Sequence, residues 1–172
     1  MTAIAELVRP ASNTDLYTAM FREADGWRRD CLAMLDEIDA LVADLLAELQ
    51  PQRRRPGRSK APEQPPFARL RELTGSKGPL AAQGKVISET LAELAPWCDW
   101  RTHLEHGVLT VWRGRGAQWL LALAYQPVPG DPVRTHAITW VEACAMRELV
   151  TKRIAALRSN ARSLANAVSS KA

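Results

Sequence analysis

The sequence predicts a mainly α-helical domain with a β-hairpin set between its helices, and three observations carry that reading. Two long segments, 14–49 and 139–168, place apolar residues at every third or fourth position, the spacing that lays one stripe along a helix. Between them, after Gly107, the pattern changes to β-branched, aromatic and apolar runs on either side of an Arg-Gly-Arg-Gly turn. The composition, 172 residues of which 47% are hydrophobic and 24% charged, suits one domain with a real core and not a charge-dominated unfolded chain.

Taken in order, residues 1–13 read as a flexible N-terminus. A helix from about Thr14 to Leu49 follows, striped by Leu16, Met20, Ala24, Trp27, Cys31, Met34, Ile38, Leu41 and Leu45, with Ser12 or Asn13 as the cap that satisfies its first amides. Residues 50–66 hold five prolines and a glycine, which remove amide donors and predict a mobile loop. Phe67–Leu73 can form a short helix that ends in the Thr74-Gly75-Ser76-Lys77-Gly78 breaker. Helicity resumes at about Pro79, runs through Val86, Ile87, Leu91 and Leu94, is interrupted or restarted by Pro96, and stops at Gly107.

The hairpin covers 108–126, Val108–Trp112 pairing with Ala117–Tyr125 around glycines that allow the positive φ of a tight turn. Pro127–Pro132 forms the exit loop. Thr139 and Glu142 make a capping box for the last helix, striped by Ala143, Met146, Val150, Ile154, Leu157, Ala161, Leu164 and Val168, and 169–172 form a tail. Two long amphipathic helices hide each other's stripes most simply by pairing antiparallel, which gives a bundle with shorter central helices and an inserted hairpin.

The same residues exclude several function classes. Glu6 and the short apolar runs near the start do not read as a secretion signal, and no window reaches the roughly 20 apolar residues of a membrane helix, so a cytoplasmic protein is expected. Cys31, Cys98 and Cys144 are odd in number and far apart, predicting buried reduced thiols and neither a disulfide framework nor a metal site. There is no zinc cluster, no phosphate-cradling glycine loop, and no cofactor signature. The formal charge of +4 lies entirely in the Pro-rich loop, where Arg53, Arg54, Arg55, Arg58 and Lys60 face a single acid, Glu63. That loop is either a solvated linker or a contact for RNA phosphates. Arg113 and Arg115 in the hairpin turn are likewise ordinary turn chemistry or an anion grip.

One stretch combines residue types suited to a reaction: Trp100-Arg101-Thr102-His103-Leu104-Glu105-His106-Gly107. A histidine exchanges protons near neutrality, and a fixed guanidinium can hold a phosphate or offset charge that builds in a transition state. Together they suit phosphodiester cleavage without a metal, the RNA 2′-hydroxyl serving as nucleophile.

A helix, then Arg-x-x-x-x-His-Gly, then a hairpin with aromatic residues, then a long helix resembles the HEPN superfamily, named for nucleotide-binding domains of higher eukaryotes and prokaryotes. Arg101 and His106 fall on the family's RxxxxH pair, and Gly107 on the glycine that often follows it in members with a strand after the motif. The position after the arginine, often Asn, Asp or His, is here Thr102. The resemblance implies a HEPN-like bundle over 14–168, working as a homodimer in which two motifs face one composite cleft. Many members are metal-independent ribonucleases of toxin, phage-defence or RNA-processing systems, which implies RNA and an antitoxin or other protein as partners. Others only bind or scaffold.

Helix geometry limits how the pair can act. Residues five apart are rotated by about 140° on a regular helix, so Arg101 and His106 share a site only if the helix is distorted near Pro96 or Gly107 or a second subunit completes a groove. His103 lies three before His106 on the same face and is the third candidate catalytic residue. The plain alternative is a surface Arg101–Glu105 pair with His106 merely ending a helix. His136 reads as a loop residue, and the tryptophans around the hairpin as core, with Trp112 able to stack on a base.

Overall fold

The computed structural model describes residues 10–49 and 64–169. Residues 1–9, the tail beyond Ser169 and the basic loop with Arg53, Arg54, Arg55, Arg58 and Lys60 lie outside the described residues. The chain is mainly helical with one small antiparallel sheet, in the order α1 (Pro10–Leu49), α2 (Pro66–Thr74), α3 (Lys85–Cys98), α4 (Arg101–His106), β1 (Val108–Arg113), a 3-10 turn at Arg115–Ala117, β2 (Trp119–Tyr125), β3 (Arg134–Thr139) and α5 (Trp140–Ser169). It divides into two compact units, one holding the chain up to Leu32 with Trp100–Glu148, the other Ala33–Asp99 with the chain from Leu149. No helix among the described residues is long and apolar enough to cross a membrane.

The two long helices run parallel, which corrects the antiparallel pairing expected from their stripes. In the first unit the Trp27 indole N–H donates to the Ala143 carbonyl at 2.8 Å and Arg147 pairs with Asp30 at 3.1 Å, so both chains ascend together. In the second unit Thr151 meets Met34 and Arg158 pairs with Glu37, again ascending together. Two apolar stripes can face each other in either direction. Connectivity decides, and here the helices and strands between α1 and α5 bring the chain back before α5 begins. The buried seam of α1 also differs from the expected one: Leu16 is exposed, and beyond Cys31 Leu35 and Val42 are buried, whereas Met34 and Leu41 are only half-buried.

In the first unit the sheet has the order β1-β2-β3, both pairings antiparallel. The hairpin forms as expected, but its turn is longer: Gly116 (φ 80°) and Ala117 (φ 62°) take the left-handed conformation, and β2 starts at Trp119. The third strand is not foreseen. Arg134-Thr135-His136-Ala137-Ile138-Thr139 carries one large apolar residue, so its strand state comes from pairing with β2 and not from its own pattern. β2, between two neighbours, is the buried strand through Leu121, Ala122 and Leu123. The capping box is formed at the head of α5: the Thr139 N–H and hydroxyl both donate to Glu142 Oε2 at 2.8 Å, and the Glu142 N–H donates to Thr139 Oγ1 at 3.1 Å. The two bonds from Thr139 to the carboxylate, the backbone one first, hold Glu142 below the usual carboxylate range.

The second unit buries Leu70 of α2 and Ile87, Leu91 and Leu94 of α3, with Ile38, Val42 and Leu157 also buried. Helicity resumes at Lys85 and not at Pro79, because the intervening chain is occupied by turns: the Gly78 N–H donates to the Gly75 carbonyl at 2.8 Å and the Leu80 N–H to the Leu73 carbonyl at 3.0 Å. A Cβ at Gly78 would lie 2.3 Å from the Glu72 and Leu73 carbonyl oxygens, so only glycine allows this return. Pro96 lies inside the last turn of α3 without ending it.

Candidate functional site

The candidate site is built on α4 and the sheet strands of the first unit. α4 is a helix of six residues, too short to hold itself, and the chain supplies its C-terminal partners. The Gly107 N–H donates to the His103 carbonyl at 2.9 Å. Gly107 is extended (φ −71°, ψ 145°), and its requirement is space: a Cβ there would stand 2.3 Å from the same His103 oxygen. Arg28 of α1 then donates through Nε to the Leu104 carbonyl and through Nη2 to the Glu105 carbonyl at 2.9 Å. Three consecutive carbonyls at the end of α4 are thus satisfied, and the turn that carries His106 is fixed to α1.

Arg101 and His106 meet on one carboxylate. Arg101 Nη1 lies 3.2 Å from Glu105 Oε1, and His106 Nε2 lies 3.6 Å from Glu105 Oε2. The 140° between the two positions is therefore bridged by an acid between them, with no distortion of α4 needed. The Arg101 side chain is 28% exposed and that of His106 is 61% exposed, so a solute reaches the imidazole more easily than the guanidinium. Thr102 is exposed beside them.

His103 behaves differently from His106 although the two are three apart. It is 7% exposed, and both ring nitrogens are buried without a hydrogen bond. Its ring stands edge-on to His136 at 4.2 Å between centroids and to Tyr125 at 5.7 Å. His136 also lies against Trp100 at 4.9 Å, and Tyr125 against His106 at 6.0 Å. All three histidines of the chain therefore belong to one cluster of rings. Burial, then the neighbouring His136 and Arg134, push the His103 imidazole below its ordinary value, so it is held as a neutral ring.

The expectation that His136 is a loop residue is corrected: it is in β3, opposite Leu123 of β2, and Arg134 is opposite Tyr125. Side chains paired across an antiparallel ladder share a face, which gathers Tyr125, His136 and Arg134 toward α4. Arg28, Tyr125 and His136 are the residues that sequence reasoning missed. Arg113 is not part of this group. It pairs with Trp119 at the opposite end of β2 from Tyr125, about 20 Å along the strand. Arg115 follows it in the 3-10 turn.

The remaining candidates settle more plainly. Trp27 is fully buried, whereas the other tryptophans are partly open and Trp112 is 50% exposed, so the expected tryptophan core around the hairpin does not form. Trp112, Tyr17 and Phe21 line a shallow apolar groove of about 430 Å³. Of the thiols, only Cys31 is buried; burial and the Asp30 charge push it up to about 12 against the opposing Arg147. Among the described residues no group of three His, Cys, Asp or Glu side chains could hold a metal ion.

No family model matches the chain, and neither a curated protein nor a solved structure is significantly similar to it.

Proposed function

We propose that the chain is a HEPN-like, metal-independent endoribonuclease that works as a homodimer with paired RxxxxH motifs. The observation that carries the reading is the placement of Arg101 and His106 on the two oxygens of Glu105, at the open end of α4. In the proposed reaction the RNA 2′-hydroxyl loses its proton and attacks the adjacent phosphorus, and the 5′-oxygen leaves with a proton, giving a 2′,3′-cyclic phosphate and a 5′-hydroxyl. His106 of one protomer takes the first proton and the same residue of the second protomer supplies the other. Arg101 exchanges Glu105 for the scissile phosphate and offsets the charge that develops on its oxygens. His103, buried, acts by holding α4 against the sheet, a positioning role and not that of a third catalytic residue. A toxin, phage-defence or RNA-processing setting, with an antitoxin or other partner protein, belongs to this proposal.

Purified protein is expected to cleave RNA in EDTA between pH 6 and 8, and Arg101→Ala and His106→Ala are expected to abolish the cleavage. Intact RNA throughout that range, or variants that cut as well as wild type, defeats the reading. A second reading, a non-catalytic binding or scaffold module, is favoured by one specific contact: the Arg101 guanidinium is already neutralised by Glu105. Binding of RNA or protein without turnover, lost in Arg101→Ala, identifies that case.

A further inference from the structure

The second unit holds an open cavity of about 530 Å³ at the end of α2, lined by Arg69, Arg71, Glu72, Ser76, Lys77 and Gly78 among others. Arg71 and Lys77 face one acid there, Glu72. The segment reads in the sequence only as a helix breaker, yet its backbone is pinned by the Gly78 and Leu80 amide bonds and by the close return at Gly78. The donors of Arg71, Ser76 and Lys77, by contrast, are unused. Among the described residues no hydrogen bond or ion pair engages the Arg71 guanidinium, the Lys77 ammonium, the Ser76 hydroxyl or the Ser76 and Lys77 main-chain N–H groups. Arg71 in the last turn of α2 also opposes that helix's terminal dipole, but this accounts for neither Lys77 nor Ser76.

We propose that this cavity is a phosphate-binding site, taking either a free phosphate compound or a phosphate of a nucleic-acid backbone. A guanidinium fork, an ammonium and a hydroxyl on residues that line one hollow match the several acceptor oxygens of a phosphate better than the two of a carboxylate. The single acid, Glu72, leaves the rim with a cationic surplus. The inference does not depend on RNA cleavage.

The test uses the full chain, with pyrophosphate and a non-cleavable 2′-O-methyl RNA octamer as probes, read by amide NMR shifts and by affinity. Shifts at Ser76 and Lys77 with pyrophosphate identify a free-phosphate site; shifts there with the octamer alone identify a nucleic-acid backbone. Arg71→Glu with Lys77→Glu is expected to weaken the responding probe about tenfold or more. A control of equal charge change on α5, Lys152→Glu with Arg162→Glu, is expected to change it less than about twofold. The wild-type shift map stands even if the variants lose stability. No response at Ser76 and Lys77 to either probe, or equal losses in the two charge variants, overturns the proposal.

Discussion

Replacing His103 separates what the ring cluster costs from what it holds. The wild-type ring is 7% exposed with two nitrogens that find no partner, and an unsatisfied buried polar group costs about 1–3 kcal/mol. His103→Phe removes both nitrogens and keeps an edge toward His136 and Tyr125, at an overpacking cost of about 1–3 kcal/mol for the larger ring. With two unsatisfied nitrogens relieved against one overpacked ring, the balance is a gain of about 1 kcal/mol or more, seen as a melting temperature at least about 2–4 °C higher at neutral pH. The pH dependence is the sharper readout. His103 is depressed in the folded chain from the ordinary 6.5, so the folded state refuses a proton that the unfolded chain accepts. Its full stability is present above pH 6.5 and declines as pH falls from there toward the folded value, by up to about 1.4 kcal/mol per pH unit. Urea unfolding of wild type, His103→Phe and His103→Leu from pH 7.5 to 5 measures both effects, and the variants are expected to show a shallower loss. If both variants are destabilised by more than about 1 kcal/mol at pH 7.5 and retain the wild-type slope below pH 6.5, His103 is not the strained neutral ring described above.

Two further perturbations test how α4 is held. Arg28→Ala removes both side-chain donors to the Leu104 and Glu105 carbonyls and is expected to cost about 1–2 kcal/mol, with faster hydrogen exchange at 104–107. Gly107→Ala places a Cβ 2.3 Å from the His103 oxygen and is expected to cost about 1–3 kcal/mol in thermal melts, whereas Thr102→Ala on the exposed face of α4 stays within about 0.5 kcal/mol of wild type.

The parts of the fold that were legible in the sequence are those written in local chemistry. α1 and α5 announce themselves by apolar period, α5 by the Thr139–Glu142 box that the structure forms bond for bond, and the hairpin by the change of period after Gly107. What was not legible depends on partners far along the chain. The direction of α5 relative to α1 is invisible in two stripes that would match either way, and β3 is a strand only because β2 offers it a ladder. The start of α3 was misplaced for a local reason: Pro79 is a good first-turn residue, but the close approach at Gly78 and the amide bonds of the turns spend that chain on reversing direction.

The same division runs through the candidate site. Arg101, His103 and His106 could be picked from one short stretch, but their spacing grouped His103 with His106 and apart from Arg101, whereas the structure buries His103 and brings Arg101 and His106 to the same carboxylate. Spacing could not show that Glu105 bridges the outer pair, or that His103 is buried while His106 is open. The Glu105 contacts are local to α4, whereas the surroundings of His103 are set in part by β3. The ladder pairs Leu123 with His136 and Tyr125 with Arg134, which puts the imidazole beside His103 and a cation near it. A slip of one residue would turn His136 to the other face and offer Thr135 or Ala137 in its place. The His103 imidazole is therefore depressed first by its burial and then by the β3 residues His136 and Arg134, and a substitution that shifts the register of β3 would change His103 without touching α4.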